Sequence, residues 1–282
     1  MPLAASPPAK PRDSRASPSR HAPGIADKVA LVTGAARGLG RAMAIALADC
    51  GATVFVNDLA LDSAEAAAHE LHERGGTGEA LPFDVSASAA VHLAIDALVG
   101  RAGRIDILIN NAGIGDFVEF PDITDEKWTR MLDVHLKGAF NCSHAAFPHM
   151  VRQRSGKILN VSSVAGKRGD FIGNSHSTAA KAGMIGLTKS LAFYAARHGI
   201  NVNAIAPGLV ATELSGAMRG NAGNDDRAHP GGKARTARRD RGGRALPRLG
   251  CGELHLRRDI GSQRRLLHGL ARHHERCRFT AK

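Results

Sequence analysis

"VALVTGAARGLGRAMAIALA", residues 29–48, decides the fold. An apolar run rich in valine leads into a turn holding Gly34, Gly38 and Gly40 in a GxxxGxG spacing, and the turn leads into a segment with the apolar periodicity of a helix. Glycines at this spacing let the backbone turn tightly and come close to a pyrophosphate, whose charge the N–H groups and dipole of the helix N-terminus then meet. Arg37 and Leu39 lie within the same turn. A tight strand-to-helix turn without a ligand uses glycines too, but the strand before this motif and the helix after it favour a dinucleotide site. Asp58 ends "TVFVND", eighteen residues beyond Gly40. An acid at the tip of a second strand can accept from both ribose hydroxyls, which favours NAD because a 2′-phosphate would be repelled. Arg37 argues the other way and keeps NADP open, since a guanidinium there could meet that phosphate. Asp58 as a plain capping or turn residue is the alternative.

Outward from this motif, "ATVFVND", "EALPFDV", "IDILINNAG", "GKILNVSS" and "INVNAIAPG" are short apolar runs separated by helix-like stretches. Strands alternating with helices give βαβ units, so the expected fold class is α/β: one doubly wound, Rossmann-type parallel sheet covered on both faces. "AMAIALADCG" and "SAEAAAHELHERGG" each end on glycine, as a helix C′ position prefers. A chain of 282 residues, 43% hydrophobic, can bury one large core of this kind.

The ends differ from the centre. Residues 1–24 are rich in Pro, Ser, Ala and Arg without apolar periodicity and are expected to be a disordered leader. Residues 25–218 form the expected domain, and 219–282 are a basic tail with no readable elements, expected to be disordered or translated out of frame. The formal charge of +12 resides there: residues 1–28 carry +3, residues 29–218 carry −2 and residues 219–282 carry +11. The tail lacks interleaved aromatics, so nucleic acid is not the expected partner, although salt-dependent polyanion binding by the tail is an alternative. No apolar run reaches the roughly 18 residues of a membrane span. Cys50, Cys142, Cys251 and Cys277 show neither CxxC spacing nor the density of a disulfide scaffold, which fits a reducing, cytoplasmic compartment. His255, His268, His273, His274 and Cys277 match no standard metal spacing, so no metal is expected.

"TGAARGLG", "FDV", "NNAG", "NVSS", the lysine of "STAAKAG" and "APGLVATEL" occur in one order across residues 28–214. With them the chain resembles the short-chain dehydrogenase/reductase family, in particular its 3-oxoacyl-carrier-protein reductases. The resemblance implies that Asp84 and Val85 contact the adenine ring, that Asn111, Ala112 and Gly113 line the cofactor, and that Asn110 steadies the sheet. It implies that Pro207, Gly208 and Thr212 hold the nicotinamide end. The family moves a hydride between nicotinamide and a carbinol or carbonyl carbon while a tyrosine passes the hydroxyl proton, so an alcohol/ketone pair is the implied substrate. Lys181 matches the lysine that lowers the tyrosine's pKa and binds the ribose, and Ser163 the serine that hydrogen-bonds the substrate oxygen, with Ser162 as its alternative. His135 stands where the family usually has a water-holding asparagine, and an imidazole can also anchor a water.

The serious departure is in "NSHSTAAKAG", residues 174–183, where Ser177 occupies the tyrosine position four residues before Lys181. An alkyl hydroxyl is a far poorer acid than a phenol of pKa about 10, and loss of a positioned general acid typically costs on the order of 10²- to 10⁴-fold in rate. Tyr194 is three turns further along the same expected helix, and His176 is expected to point elsewhere. Activity weakened or lost at Ser177 is therefore expected, with an inactive dinucleotide-binding pseudoenzyme as the alternative. Family members assemble as dimers or tetramers through two long helices and a C-terminal strand; that strand cannot be read here, which weighs against a tetramer.

Overall fold

All four residues of β1 (Val29–Val32) are buried. The strand is therefore a continuous apolar run rather than an alternating one, as a sheet covered on both faces requires. It is flanked by β2 (Thr53–Val56) and β4 (Ile107–Asn110), with β3 (Thr77–Ala80) beyond β2, and β5 (Gly156–Val161) and β6 (Ile200–Ile205) beyond β4. The six strands run in the order β3-β2-β1-β4-β5-β6, and every pairing is parallel. This is the doubly wound arrangement, whose strand order reverses between β1 and β4 and opens a crevice at their carboxyl ends. The computed structural model describes residues 24–169 and 174–208. The leader through residue 23, Thr212 and the basic tail with its histidines and Cys277 lie outside the described residues.

The connecting helices are α1 (Gly38–Asp49), α2 (Leu61–Glu73), α3 (Ser88–Ala102), α4 (Asp125–Leu132), α5 (Gly138–Gln153), the short α6 (Ala165–Arg168) and α7 (Ser175–Ala196). Gly51 and Gly75, just past α1 and α2, have φ of +88° and +81°, so both helices stop where a left-handed residue is cheapest. Side chains two apart along the strands face the same way. Leu31, Phe55, Leu108 and Ile158 meet Val91, Ile95 and Leu98 of α3 and Ala145, Ala146 and Met150 of α5 in one core. Ala30, Val32, Val54, Val56, Ile107 and Ile109 meet Met43, Ala44 and Leu47 of α1 and Ala64, Ala68 and Leu71 of α2 in the other. Among the described residues no helix is long and apolar enough to cross a membrane.

β3 lies earlier than "EALPFDV" suggests. Its ladder with β2 ends at Val56↔Ala80. Leu81 and Phe83 leave the strand but continue beside β2, their N–H groups donating to the carbonyls of Val56 and Asp58. The buried Asn57 holds them there, its Nδ2 donating to the Leu81 carbonyl at 3.1 Å and to that of Phe83 at 3.0 Å.

At the amino end of the sheet, Asp106 is 4% exposed and ties the entry of β1 to that of β4. It accepts from the Val29 N–H at 3.0 Å and from both Nε and Nη2 of Arg104, with Lys28 3.7 Å away. Burial works to raise this carboxyl, but the Arg104 and Val29 hydrogen bonds and the two nearby positive charges outweigh it and hold the pKa below the usual carboxylate value. A depressed carboxylate pKa stabilises the fold above its unfolded value, and that contribution is lost as pH falls through the folded one. Asp106→Ala should cost about 3 kcal/mol at neutral pH, since it leaves the Val29 N–H buried without an acceptor. In urea melts, the difference between wild type and Asp106→Asn should shrink as pH falls below about 4; a pH-independent difference would exclude this account.

Candidate active site

A cleft of about 480 Å³ opens at the carboxyl ends of the strands. Gly34, Arg37, Gly38 and Leu39 line it from the β1–α1 turn, Asp58 from the end of β2, and Asp84 and Val85 from the segment after β3. Asn111, Ala112 and Gly113 follow β4, while His135, Ser163, Ser177 and Lys181 form the wall beyond them. The glycine turn and the resemblance-derived polar cluster thus share one cavity. Gly40, Pro207 and Gly208 are not on its wall, although the Pro207 carbonyl accepts from the N–H of Val164 beside Ser163.

The turn has the features of an anion cradle. Gly34 and Gly38 have φ of +61° and +57°. A Cβ on Gly34 would lie 2.8 Å from the Ala112 Cα, and one on Gly40 would run into the Gly34 carbonyl and the Asn111 amide. α1 starts without a side-chain cap and without an acid in its first turn, which leaves its leading N–H groups available to a negative ligand. Asp58 is fixed at the other end of this half-site, accepting from the N–H groups of Ala36 at 3.3 Å and Leu59 at 2.8 Å. A tight glycine cradle, an uncapped helix start and a ribose-range carboxylate fit a dinucleotide.

Sequence reasoning gave Asn111 to the cofactor. It lines the cleft, and its Nδ2 also donates to the carbonyls of Thr33 at 2.9 Å and Gly34 at 3.0 Å, while its N–H donates to the Thr33 hydroxyl, as does that of Ala112. The Nδ2 group therefore ties the end of β1 to that of β4. Asn110 is a link in a buried chain: its Nδ2 donates to Ser143 Oγ and Asn160 Oδ1, and Asn160 Nδ2 donates to Thr188 Oγ1. Asn57, Asn160 and Thr188 were not singled out in the sequence; a polar residue inside an apolar strand or helix was their only signal.

Ser177 and Lys181, one turn apart on α7, both face the cleft. Lys181 is 9% exposed, and its Nζ donates to the Val161 carbonyl at 2.7 Å. Burial lowers its pKa to about 8. Ser163 Oγ accepts from the Ala165 N–H, whereas the buried Ser162 donates to the Lys181 carbonyl and so faces α7 rather than the cleft. Tyr194 lies at the far end of α7, stacked on Phe147 and under Arg197. His176 is buried and, among the described residues, is absent from the cleft wall and has no partner for either ring nitrogen.

The family model for the short chain dehydrogenase matches residues 28–222. The chain is 42% identical over 192 residues to the 3-oxoacyl-[acyl-carrier-protein] reductase FabG of Staphylococcus aureus, covering 68% of this chain and 78% of the relative. It is 41% identical over 189 residues to the 3-oxoacyl-[acyl-carrier-protein] reductase of Synechocystis sp., covering 67% and 76%. Among solved structures, a gluconate 5-dehydrogenase from Burkholderia cenocepacia in complex with NADP and tartrate superposes with a TM-score of 0.67 at 35% identity, over 70% of this chain and 77% of that one. An NAD⁺-bound xylitol dehydrogenase does so with a TM-score of 0.64 at 34% identity, over 66% and 71%.

His135 sits on a single π-helical turn, Asp133–Lys137, between α4 and α5. Such turns are frequent at functional sites because the extra residue re-aims a side chain. Its Nε2 is 2.9 Å from the Ile114 carbonyl and 3.0 Å from the Ile114 N–H, while Nδ1 is buried without a partner among the described residues. Burial, then the Lys181 charge, lowers its pKa to about 3 against the weak opposing effect of the Ile114 backbone. The ring is neutral at physiological pH. Because the unfolded chain takes up a proton there near pH 6.5 and the folded one does not, His135 should reduce stability as pH falls from about 6.5 towards about 3. His135→Asn should flatten that part of the stability–pH curve, and an NMR titration of the wild-type ring should show no midpoint between pH 5 and 8; a midpoint in that range would contradict the burial argument.

Proposed function

This chain belongs to the short-chain dehydrogenase family, and on that footing we propose that it interconverts a secondary alcohol and a ketone with a nicotinamide dinucleotide, a 3-oxoacyl/3-hydroxyacyl compound being the favoured substrate class. The observation that carries this reading is the shared cleft, lined by the glycine cradle and Asp58 and also by Ser163, Ser177 and Lys181. When bound, the dinucleotide supplies or accepts hydride. The β1–α1 turn and the α1 N-terminus hold its pyrophosphate, Asp58 its adenosine ribose, and Asp84 and Val85 the adenine end. In this reading Lys181 binds the nicotinamide ribose, Ser163 orients the substrate oxygen, and the neutral His135 shields the Lys181 charge from water. The apolar side chains of Met131, Val134 and Phe117 on the same wall suit an acyl chain.

We take NAD as the favoured cofactor, because an acid at the end of the second strand, as Asp58 is, would repel a 2′-phosphate; Arg37, on the same wall, supports NADP as the alternative. Asp58→Ser should therefore shift the NADP-to-NAD preference by about tenfold, the equivalent of about 1.4 kcal/mol, measured as the ratio of dissociation constants by fluorescence titration; an unchanged ratio excludes Asp58 as the discriminator. The exposed aromatics Phe140 on α5 and Phe193 and Tyr194 on α7 support self-association through these two long helices. A reducing compartment such as the cytoplasm suits the reading.

Ser177 favours a second reading, binding without turnover. Both are tested by following reduced dinucleotide oxidation with a 3-oxoacyl thioester. Ser177→Tyr should raise kcat by on the order of 10² to 10⁴, with dinucleotide affinity unchanged. Tight binding with no turnover in either protein would establish the second reading.

A further inference from the structure

Away from the cleft, α3 and α5 pack side by side against the sheet, and a seam of polar side chains runs between them. Asp96 on α3 meets Nε2 of His149 on α5 at 2.9 Å, and Arg152 donates to Nδ1 of the same ring. Both nitrogens of His149 are thereby engaged. About one turn nearer the helix starts, His92 on α3 meets His144 on α5, with Nε2 of the first 3.2 Å from Nδ1 of the second. The two rings lie 5.4 Å apart at an interplanar angle of 65°. Neither residue lines the cleft, and the dehydrogenase reading has no use for either.

The His92 ring is fixed in one tautomer. Its Nδ1 is 2.9 Å from the Ser88 carbonyl. A carbonyl only accepts, so Nδ1 carries the proton and, in the neutral ring, Nε2 keeps a bare lone pair turned towards His144. Donation of the other ring N–H to a backbone carbonyl is also how proteins orient a histidine that ligates a metal. The backbone on each side is anchored in the core. Val91 and Ile95 beside His92, and Cys142, Ala145 and Ala146 around His144, are at most 4% exposed. Rigid helices hold a ligand pair more precisely than loops do. Metal–nitrogen bonds of about 2.0 to 2.1 Å at a tetrahedral angle put two ligand nitrogens about 3.3 Å apart, and these two are 3.2 Å apart. His144 is exposed, so its ring is free to turn slightly and aim both lone pairs at one point.

We infer that His92 and His144 chelate a divalent late-transition-metal ion, zinc being the type, and that the ion clamps α3 to α5. His92 offers Nε2 as it stands. His144 offers Nδ1 once its proton has passed through solvent to its own Nε2, so the ion takes the place of the proton that joins the rings and no net proton is gained or lost. Among the described residues no group of three His, Cys, Asp or Glu side chains is placed to hold a metal, so water completes the shell. Imidazole suits zinc, nickel and copper, whereas magnesium and calcium take oxygen ligands. Phe140, whose ring lies 5.5 Å from that of His144, offers no competing ligand. The two histidines are 52 residues apart in the chain, so no ligand spacing announces the pair.

The test uses the full chain, titrated with zinc chloride or magnesium chloride and then treated with diethyl pyrocarbonate, which modifies free imidazole nitrogens. Modification is read at each histidine by mass spectrometry, because the chain has 14 histidines and others can take up zinc independently. Expected is that zinc protects His92 and His144 with one shared midpoint, while the exposed His69 on α2 stays reactive over that range and magnesium protects neither. His144→Gln should weaken zinc protection of His92 by at least about tenfold, and His92→Gln should do the same to His144, because the second ligand of a chelate acts at high effective concentration. In urea melts, zinc should raise the midpoint more in wild type than in either variant, and the metal-free melts show that the variants fold. Separate midpoints for the two histidines in wild type would overturn the chelate. So would protection of one that survives loss of the other, or an equal zinc shift of the urea midpoint in all three proteins.

Discussion

The parting of β1 and β4 is the constraint on which the rest of the molecule depends. Their chains leave the sheet in opposite directions, and the gap would close or gape if the two exits were not tied. Asn111 ties them, donating to the Thr33 and Gly34 carbonyls while its own N–H and that of Ala112 reach the Thr33 hydroxyl. The knot leaves no room behind it: a Cβ on Gly40 would strike both the Gly34 carbonyl and the Asn111 amide. α1 can therefore start directly against the sheet, and its N-terminal dipole points into the crevice at short range, where it acts most strongly on an anion.

A second set of polar contacts holds the chemical half of the cleft in place. Ser143 on α5, Asn110 on β4, Asn160 on β5 and Thr188 on α7 form one buried hydrogen-bonded chain across the sheet. Apolar packing alone would allow α7 to slide along its own axis. Buried donors and acceptors do not, because a shift of even 1 Å strands polar groups without partners, at about 1 to 3 kcal/mol each. α7 is thereby held in a register that brings Ser177 and Lys181 to the cleft, and Ser162 fixes the same turn through the Lys181 carbonyl. The cost is visible in Lys181, an ammonium removed from water with a single side-chain hydrogen bond among the described residues. Burial at that point weakens the hold on the proton, so the same packing that reduces local stability makes the group chemically available.

Much of this organisation was legible before folding. The six strands could be read because a parallel sheet buried on both faces needs uninterrupted apolar runs, and the glycine turn because few other residues tolerate φ near +60° and so close an approach. β3 was displaced: Leu81 and Phe83 read as strand from their apolar character, yet they are buried by Asn57 and the neighbouring core after the ladder has ended. The structural share of Asn111 was not legible, since an asparagine next to a glycine turn gives no sign of which backbone carbonyls its amide will meet. The π-helical turn that aims His135 at Ile114 has no sequence signature, because it depends on how α4 and α5 join.

By itself, the sequence determined the class of fold, the order of its motifs and the chemical oddity at position 177, because these depend on side-chain type and on spacing along the chain. Only the tertiary structure decided which polar side chains are spent on architecture and which remain for chemistry, since hydrogen-bond partners come from segments as much as 79 residues apart. It also decided the state of the ionisable groups. His135 and Lys181 are an ordinary imidazole and an ordinary amine in the sequence; burial, joined by the Lys181 charge, lowers the His135 pKa to about 3, and burial lowers that of Lys181 to about 8. The physical reason is that charge is stabilised by its surroundings, and those surroundings exist only once the strands and helices have closed around it.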